Sequence, residues 1–469
     1  MHQQALNYER IKSQARHQLE QNWTGEYYAP HLEGAFPDNF LWDTCFIAIG
    51  LAEDEPMIAA TQLVQLMRYQ WPNGMIANQN VDTKRRGTII ERVNFRTDKS
   101  PMAPDSTPTS GFSQPPMISE ATWTVAQALP VPERQRFLDV MLPGIISYHQ
   151  WLFDERDING DGLVTQIHPY ETGMDNTPPY EQLVMDSRSR PERLLTSHVM
   201  MGVFGPALGA LRRDFKHADP DHRMHNASVA QYQLLIRKLA RHRYDIGSII
   251  HDQSIPIVED VTFNSIFMRA NSRLIELASM SNQELPSQLK ENIARQHTAL
   301  EQLWDPNLKT YFSRNARTKE LIKIKTIGSL MPLYATMLEP ERRNQLVDDL
   351  TDPLQFWTRH PVPSVPREPA FDAKGRPLHD PNRYWAGATW LWMNGLLADG
   401  LEQNNAPDIA RALRQKSLRL FAHTIRKQQK GAAEYYNPHT GEALGVFPFS
   451  AAAAWVIRFA DIELAKALY

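Results

Sequence analysis

Helical periodicity that recurs from one end of the chain to the other, with little two-residue alternation, restricts the fold more than any other feature. Phe263, Ile266, Phe267, Ala270 and Leu274 form one apolar stripe, and Tyr232, Leu235, Ile236, Leu239 and Ala240 form another. The spacing predicts helices near 2–22, 42–53, 56–70, 117–129, 132–155, 190–213, 222–241, 258–278, 283–303, 325–349, 385–402, 406–427 and 449–466. Few residues remain from which a sheet could form, so the expected class is all-α.

Between these helices lie three long segments, 72–116, 156–189 and 351–384, rich in Pro, Gly, Asn and Asp. Loops of that length in a compact chain are usually functional or disordered, and the aromatic and charged residues in these favour function. No low-complexity linker divides the helices, so a single domain over residues 1–469 is expected, built from helix pairs. The absence of a fixed-period repeat favours a closed helical toroid over a solenoid.

Fifty basic residues against fifty-three acidic ones leave a formal charge of −3, and no block of like charge exceeds Lys84–Arg86. Nucleic acid and anionic membranes are therefore poor partners. The N-terminus places Leu6, Ile11, Ala15 and Leu19 at helical spacing and lacks the apolar core of a signal peptide, and the longest apolar runs are too short or interrupted to span a bilayer. A soluble, cytoplasmic protein is the expectation. The one cysteine, Cys45, lies in an apolar run and reads as an inert buried thiol. There is no phosphate-binding glycine loop, dinucleotide fingerprint, paired CxxC or HExxH, so neither cofactor nor metal is expected.

Four stretches carry candidate chemistry. In HPYETGMDNTPPYEQ, residues 168–182, Glu171 and Asp175 lie four apart, and Gly173, Pro178 and Pro179 argue against a regular helix. In FLWDTCF, residues 40–46, Asp43 is embedded in apolar and aromatic residues, where a charge needs an internal partner or a ligand. In RYWAGATWLW, residues 383–392, Tyr384, Trp385, Trp390 and Trp392 cluster at a helix start, and such rings both fill cores and stack on sugar faces. In AAEYYNPHTGE, residues 432–442, Glu434 precedes a turn. A fifth, DINGDG at 157–162, imitates half a calcium loop through Asp157, Asn159, Asp161 and Gly162, but position twelve is His168 rather than Glu; a tight turn explains it equally.

Taken in order, FLWDTCF, WPNGMIAN, ETGMDNTP, YWAGATW and EYYNPHTGE with FPFSAAA resemble the bacterial branch of glycoside hydrolase family 63, over about Phe36 to Trp455. That branch includes alpha-glucosidase-like and mannosylglycerate or glucosylglycerate hydrolase-like enzymes. The resemblance implies an (α/α)6 barrel and an inverting, exo-acting alpha-glycosidase of small alpha-glucosides, related alpha-mannosides or glycosylglycerates. By motif position Asp175 resembles the general acid, with Glu171 as the rival, and Glu434 the general base. Trp42 and Asp43 resemble residues lining the subsite of the released sugar, and Gln114, Trp385, Trp390 and Asn78 match positions bordering the same pocket; Tyr384 belongs with them as part of the aromatic cluster. Inversion needs one protonated carboxyl and one ionised carboxylate about 6.5–9.5 Å apart.

The chain departs from the family pattern at Ala386, Ala388 and Phe449, where Arg, Pro and Trp are common; losing the Arg removes a cation that could hold the base ionised. Residues 80–110 are expected to cap the aglycone side, so that deleting 97–108 widens the accepted chain lengths. The expected partner is a small oligosaccharide or glycoside, and a homo-oligomer is compatible with the sequence. Other readings are a trehalase-like hydrolase, a lyase or an epimerase on the same barrel, or a non-catalytic sugar binder.

Overall fold

The computed structural model describes residues 6–81, 95–104, 108–368, 375 and 377–468. Twelve of its helices build the frame, here numbered α1 (Tyr8–Glu20), α2 (Leu41–Leu51), α3 (Pro56–Met67), α4 (Ile118–Ala128), α5 (Val131–Trp151), α6 (Val261–Met280), α7 (Ser287–Ala299), α8 (Pro332–Ala335), α9 (Pro340–Thr351), α10 (Leu391–Gln403), α11 (Pro407–Gln428) and α12 (Ser450–Leu468). The even-numbered helices form an inner ring in which each packs on the next, and α12 closes the ring against α2. The odd-numbered helices lie outside: α1 on α12, α3 on α2 and α4, α5 on α4 and α6, α7 on α6, and α11 on α10 and α12. This is the (α/α)6 barrel that the helical spacing and the family resemblance anticipate.

Burial explains which helix lies where. Every residue of α2 is buried, Cys45 included, and a helix apolar all round is stable only when surrounded. Outer helices bury one stripe: α1 turns Ile11, Ala15 and Leu19 inward and keeps its charges outside. Strands are confined, among the described residues, to two-residue pairs such as Asn39–Phe40 with Gln79–Asn80 and Tyr435–Tyr436 with Ala443–Leu444. No described helix is long and apolar enough to cross a membrane.

The helix boundaries depart from the sequence expectation in three places, each with a local cause. The stretch 190–213 is two helices, Arg190–Leu195 and His198–Leu211, because Ser189 and Ser197 each cap a new start. The stretch 325–349 is broken by Pro332 and Pro340, which open α8 and α9. Conversely, Pro178 and Pro179 do not exclude a helix; they begin one, Pro178–Asp186, where the first-turn N–H groups are unpaired in any case.

Residues 152–260, between α5 and α6, form the largest excursion from the barrel and carry helices 178–186, 190–195, 198–211 and 226–241. Glu171 anchors its first loop. Its Oε1 accepts the N–H of Ser113 at 3.0 Å and its Oε2 that of Ile167 at 2.6 Å, and the Arg156 guanidinium bridges both oxygens at 3.0 Å. The DINGDG stretch is a turn whose oxygens face backbone N–H groups of Asp161 and Gly162 and the side chains of Arg295 and Arg314. Among the described residues no group of three or more His, Cys, Asp or Glu side chains is placed so that it could hold a metal ion.

Truncating Glu171 strands a buried guanidinium. Glu171→Ala should cost roughly 3–5 kcal/mol of stability, the usual penalty for breaking a buried ion pair, whereas Glu171→Leu with Arg156→Met should cost less than the single change. Urea denaturation of both variants measures the difference.

Candidate active site

Four of the inner helices, α2, α4, α10 and α12, present their N-terminal ends or the loops that enter them to one cavity of about 640 Å³. Asp175, Glu434, Trp42, Asp43, Asn78, Gln114, Tyr384, Trp385 and Trp390 all line it, although they are scattered over nearly four hundred positions of sequence. Glu171 does not line it and is held as described above. Of the segment 80–110, Phe95 reaches the cavity wall, while 82–94 and 105–107 lie outside the described residues, so the capping expectation rests largely on residues not described.

Asp175 sits just beyond a 3-10 turn, Pro169–Thr172, that ends on Gly173 at φ 71°. Only glycine suits that position, because a Cβ there would meet both a left-handed backbone and the Trp42 ring. The loop is held on three sides. Tyr232 donates to the Asp175 carbonyl at 2.9 Å, Asn176 accepts the Trp385 N–H at 2.9 Å, and Tyr384 donates through its hydroxyl to Asp175 Oδ2 at 3.2 Å. Burial pushes the Asp175 carboxyl up to about 7; the Tyr384 hydroxyl and Arg223 oppose that rise and Glu434 adds to it. Near neutral pH this side chain therefore holds a proton much of the time.

Glu434 enters the Tyr435–Tyr436 strand, and its Oε2 accepts both the Val446 N–H at 3.0 Å and Arg223 Nη1 at 2.6 Å. Gly445, at φ 69°, leaves the room this carboxylate occupies. Burial raises Glu434 as well, but the Arg223 guanidinium and the backbone N–H oppose the rise. The cation missing from the Ala386 and Ala388 stretch is thus supplied from elsewhere. The departures at Ala386 and Ala388 therefore do not leave Glu434 without a cation.

Arg223 is the residue that sequence reasoning missed. It is 4% exposed, lies 4.4 Å from the Tyr384 ring, and joins Glu434 to Asp214, which it contacts at 3.1 Å. Its loop is clamped by Tyr435, which donates to the His222 carbonyl at 2.6 Å, and by Arg383, which donates to the Arg223 carbonyl at 2.9 Å. The stretch LRRDFKHADPDHR, 211–223, has the composition of a solvated loop, and the one signal for it is indirect: a buried base needs a cation somewhere.

The remaining wall is aromatic. Trp385 and Trp390 stack with centroids 3.8 Å apart, Trp42 lies 6.0 Å from Trp385, and Phe449 stacks on Trp392 at 5.3 Å. The indole N–H groups of Trp390 and Trp392 are buried and have no hydrogen-bond partner among the described residues. Gln114 caps α2 by accepting the Trp42 N–H at 3.2 Å, and Asn78 donates to the Tyr170 carbonyl at 3.4 Å. Asp43, in the first turn of α2, is pushed up to about 8 by burial and by the Glu434 and Asp175 charges. Near neutral pH burial and these charges therefore favour its protonated form. Arg212, Arg213 and Lys216 line the side formed by the excursion.

Residues 37–452 match the model of the mannosylglycerate hydrolase MGH1-like glycoside hydrolase domain. The mannosylglycerate hydrolase of Thermus thermophilus is 31% identical over 446 residues, covering 93% of this chain and 97% of that protein. The glucosylglycerate hydrolase of Mycolicibacterium hassiacum is 26% identical, covering 90% and 91%. A crystal structure of a family 63 mannosylglycerate hydrolase from Thermus thermophilus, in complex with Tris and D-glycerate, superimposes with a TM-score of 0.80 at 28% identity over 95% of this chain and 99% of that one. Barrel, cavity and sequence agree: the chain is a glycoside hydrolase and belongs to the MGH1-like branch of glycoside hydrolase family 63.

Proposed function

We propose that this hydrolase is an inverting, exo-acting alpha-glycosidase whose substrate is a small alpha-mannoside or alpha-glucoside with an anionic aglycone, mannosylglycerate and glucosylglycerate being the first candidates. Asp175 is the general acid and Glu434 the general base. The observation that carries the assignment is the asymmetry between two buried carboxyls in one cavity: Glu434 is ion-paired to Arg223 at 2.6 Å, while Asp175 faces a tyrosine hydroxyl. The guanidinium favours a carboxylate at Glu434, whereas burial, which the Tyr384 hydroxyl only partly offsets, favours the acid at Asp175.

In the reaction, Asp175 donates its proton to the glycosidic oxygen as the bond to the anomeric carbon breaks. Glu434 takes a proton from a water that attacks the opposite face, so the product sugar has inverted configuration. The aromatic lining of Trp42, Trp385 and Trp390 suits the apolar face of a sugar ring. Arg212, Arg213 and Lys216 suit a carboxylate on the aglycone, in keeping with the glycosylglycerates named for the relatives and the D-glycerate in the Thermus complex. A cavity of about 640 Å³ holds a monosaccharide unit with a short aglycone rather than a polymer chain.

The two roles separate by leaving group. On mannosylglycerate, Asp175→Asn and Glu434→Gln should each lose about 10²–10⁴-fold in kcat. On alpha-mannosyl fluoride, whose leaving group needs little protonation, Asp175→Asn should recover most of its rate and Glu434→Gln should not. Equal recovery by both, or by neither, contradicts the assignment.

The active form carries a protonated Asp175 and an ionised Glu434. Activity should therefore fall as pH rises through about 7, and fall again as pH drops through the Glu434 value. Arg223→Met removes the cation that opposes the burial of Glu434, so the acidic limb of kcat/KM should move to higher pH; a pH-rate profile measures it.

A further inference from the structure

Two guanidiniums on the cavity wall share one carboxylate. Arg212 donates to Asp214 from Nε at 3.1 Å and from Nη2 at 2.6 Å, and Arg223 donates to the same carboxylate from Nε at 3.1 Å. Arg223 then reaches Glu434 with Nη1. The four side chains form a line of alternating charge, Arg212, Asp214, Arg223, Glu434, and all four border the cavity. Arg212 is fixed further by the Phe215 ring 3.8 Å below it and by the Met224 carbonyl and Asn226 side chain, which accept from Nη1 at 2.7 and 2.9 Å.

We propose that Asp214 is a positioning and specificity-determining residue: an internal anion that competes with the aglycone carboxylate for Arg212 and, through Arg223, couples that contest to the base Glu434. The proposal rests on the anionic-aglycone reading above. Its physical basis is charge balance. The line carries two positive and two negative charges, so its net charge is zero and an incoming carboxylate meets guanidiniums whose charge is already offset. Without Asp214 two cations would face one carboxylate, and both a substrate anion and a released one would be held more tightly. Asp214 thereby keeps product release fast at some expense in affinity. Its charge also works against that of Glu434, in the direction that raises the base.

Removing the charge of Asp214 should have effects opposite to those of a merely structural defect. Asp214→Asn keeps the shape of the side chain. In that variant inhibition by D-glycerate should tighten several-fold. The acidic limb of kcat/KM should move down by about one pH unit, the scale of one nearby charge. The basic limb, set by Asp175, should stay in place. Asp214→Glu should restore the wild-type limb. Arg212→Gln, which removes a cation from the same line, should weaken D-glycerate and move the acidic limb upward. The limbs are read on whichever alpha-linked glycoside the wild-type enzyme hydrolyses fastest, with thermal melts confirming that each variant folds. An unmoved limb in folded Asp214→Asn, or weaker D-glycerate inhibition there, overturns the proposal, as does an Arg212→Gln limb that moves downward. If the wild-type enzyme hydrolyses neutral glycosides but neither hydrolyses a glycosylglycerate nor is inhibited by D-glycerate, the anionic-aglycone reading fails and the competition with it. The acidic limb on the neutral glycoside then decides the coupling of Asp214 to Glu434 separately.

Discussion

Buried carboxyl groups crowded into one cavity cannot all carry charge, and the Arg223 guanidinium decides which of them keeps it. Glu434 and Asp175 raise the electrostatic cost of ionising Asp43, Glu434 raises that of Asp175, and burial raises it for all three. Glu434 is the one ion-paired to Arg223. Much of the surrounding structure serves to hold that pair in register: the Tyr435–Tyr436 hairpin positions the carboxylate, and the Tyr435 hydroxyl and Arg383 clamp the loop that delivers the guanidinium. Remove the cation and all three acids compete for protons in a site that water cannot easily relax.

The barrel supplies the rigidity this requires. The ring of inner helices brings their N-termini to one rim, so residues at the start of α2, before α4, at the start of α10 and before α12 face the same cavity without any local relation in sequence. The catalytic candidates themselves come from loops, Asp175 from the excursion after α5 and Glu434 from the hairpin before α12. The Tyr232 hydroxyl holds the Asp175 carbonyl, the Asn176 side chain ties the same loop to the Trp385 backbone N–H, and the Val446 backbone holds Glu434. A fixed scaffold with chemistry on braced loops is a common division of labour.

Much of the site was legible because its residue types are conspicuous where they stand. Asp43 inside an apolar run, and Glu434 before a turn, violate the usual pattern of their neighbourhoods, and family motifs then gave Asp175 and Glu434 their expected roles. Arg212, Asp214 and Arg223 violate nothing: LRRDFKHADPDHR reads as a solvated loop, and its meaning arises only when the fold carries Arg223 to a carboxylate 211 positions away. The same limit governed the helices. Strong stripes such as that of α6 were evident, while the breaks at Pro332 and Pro340 and the helix that begins at Pro178 depend on whether a proline stands at a first turn or in an interior. At Ala386 and Ala388 the sequence shows that an Arg is missing but not that Arg223 reaches Glu434, since a charge can be supplied from any element that reaches the site.

The proposed division of labour between the two carboxyls requires inversion, which makes the anomeric form of the first product the most direct test. Time-resolved proton NMR of wild-type enzyme with mannosylglycerate and glucosylglycerate reads it before mutarotation intervenes. The beta sugar should appear first and the alpha form only later, as mutarotation proceeds. An alpha sugar appearing first would mean that a carboxylate attacks the sugar directly, and the pairing of Asp175 as acid with Glu434 as the base of a water would be wrong.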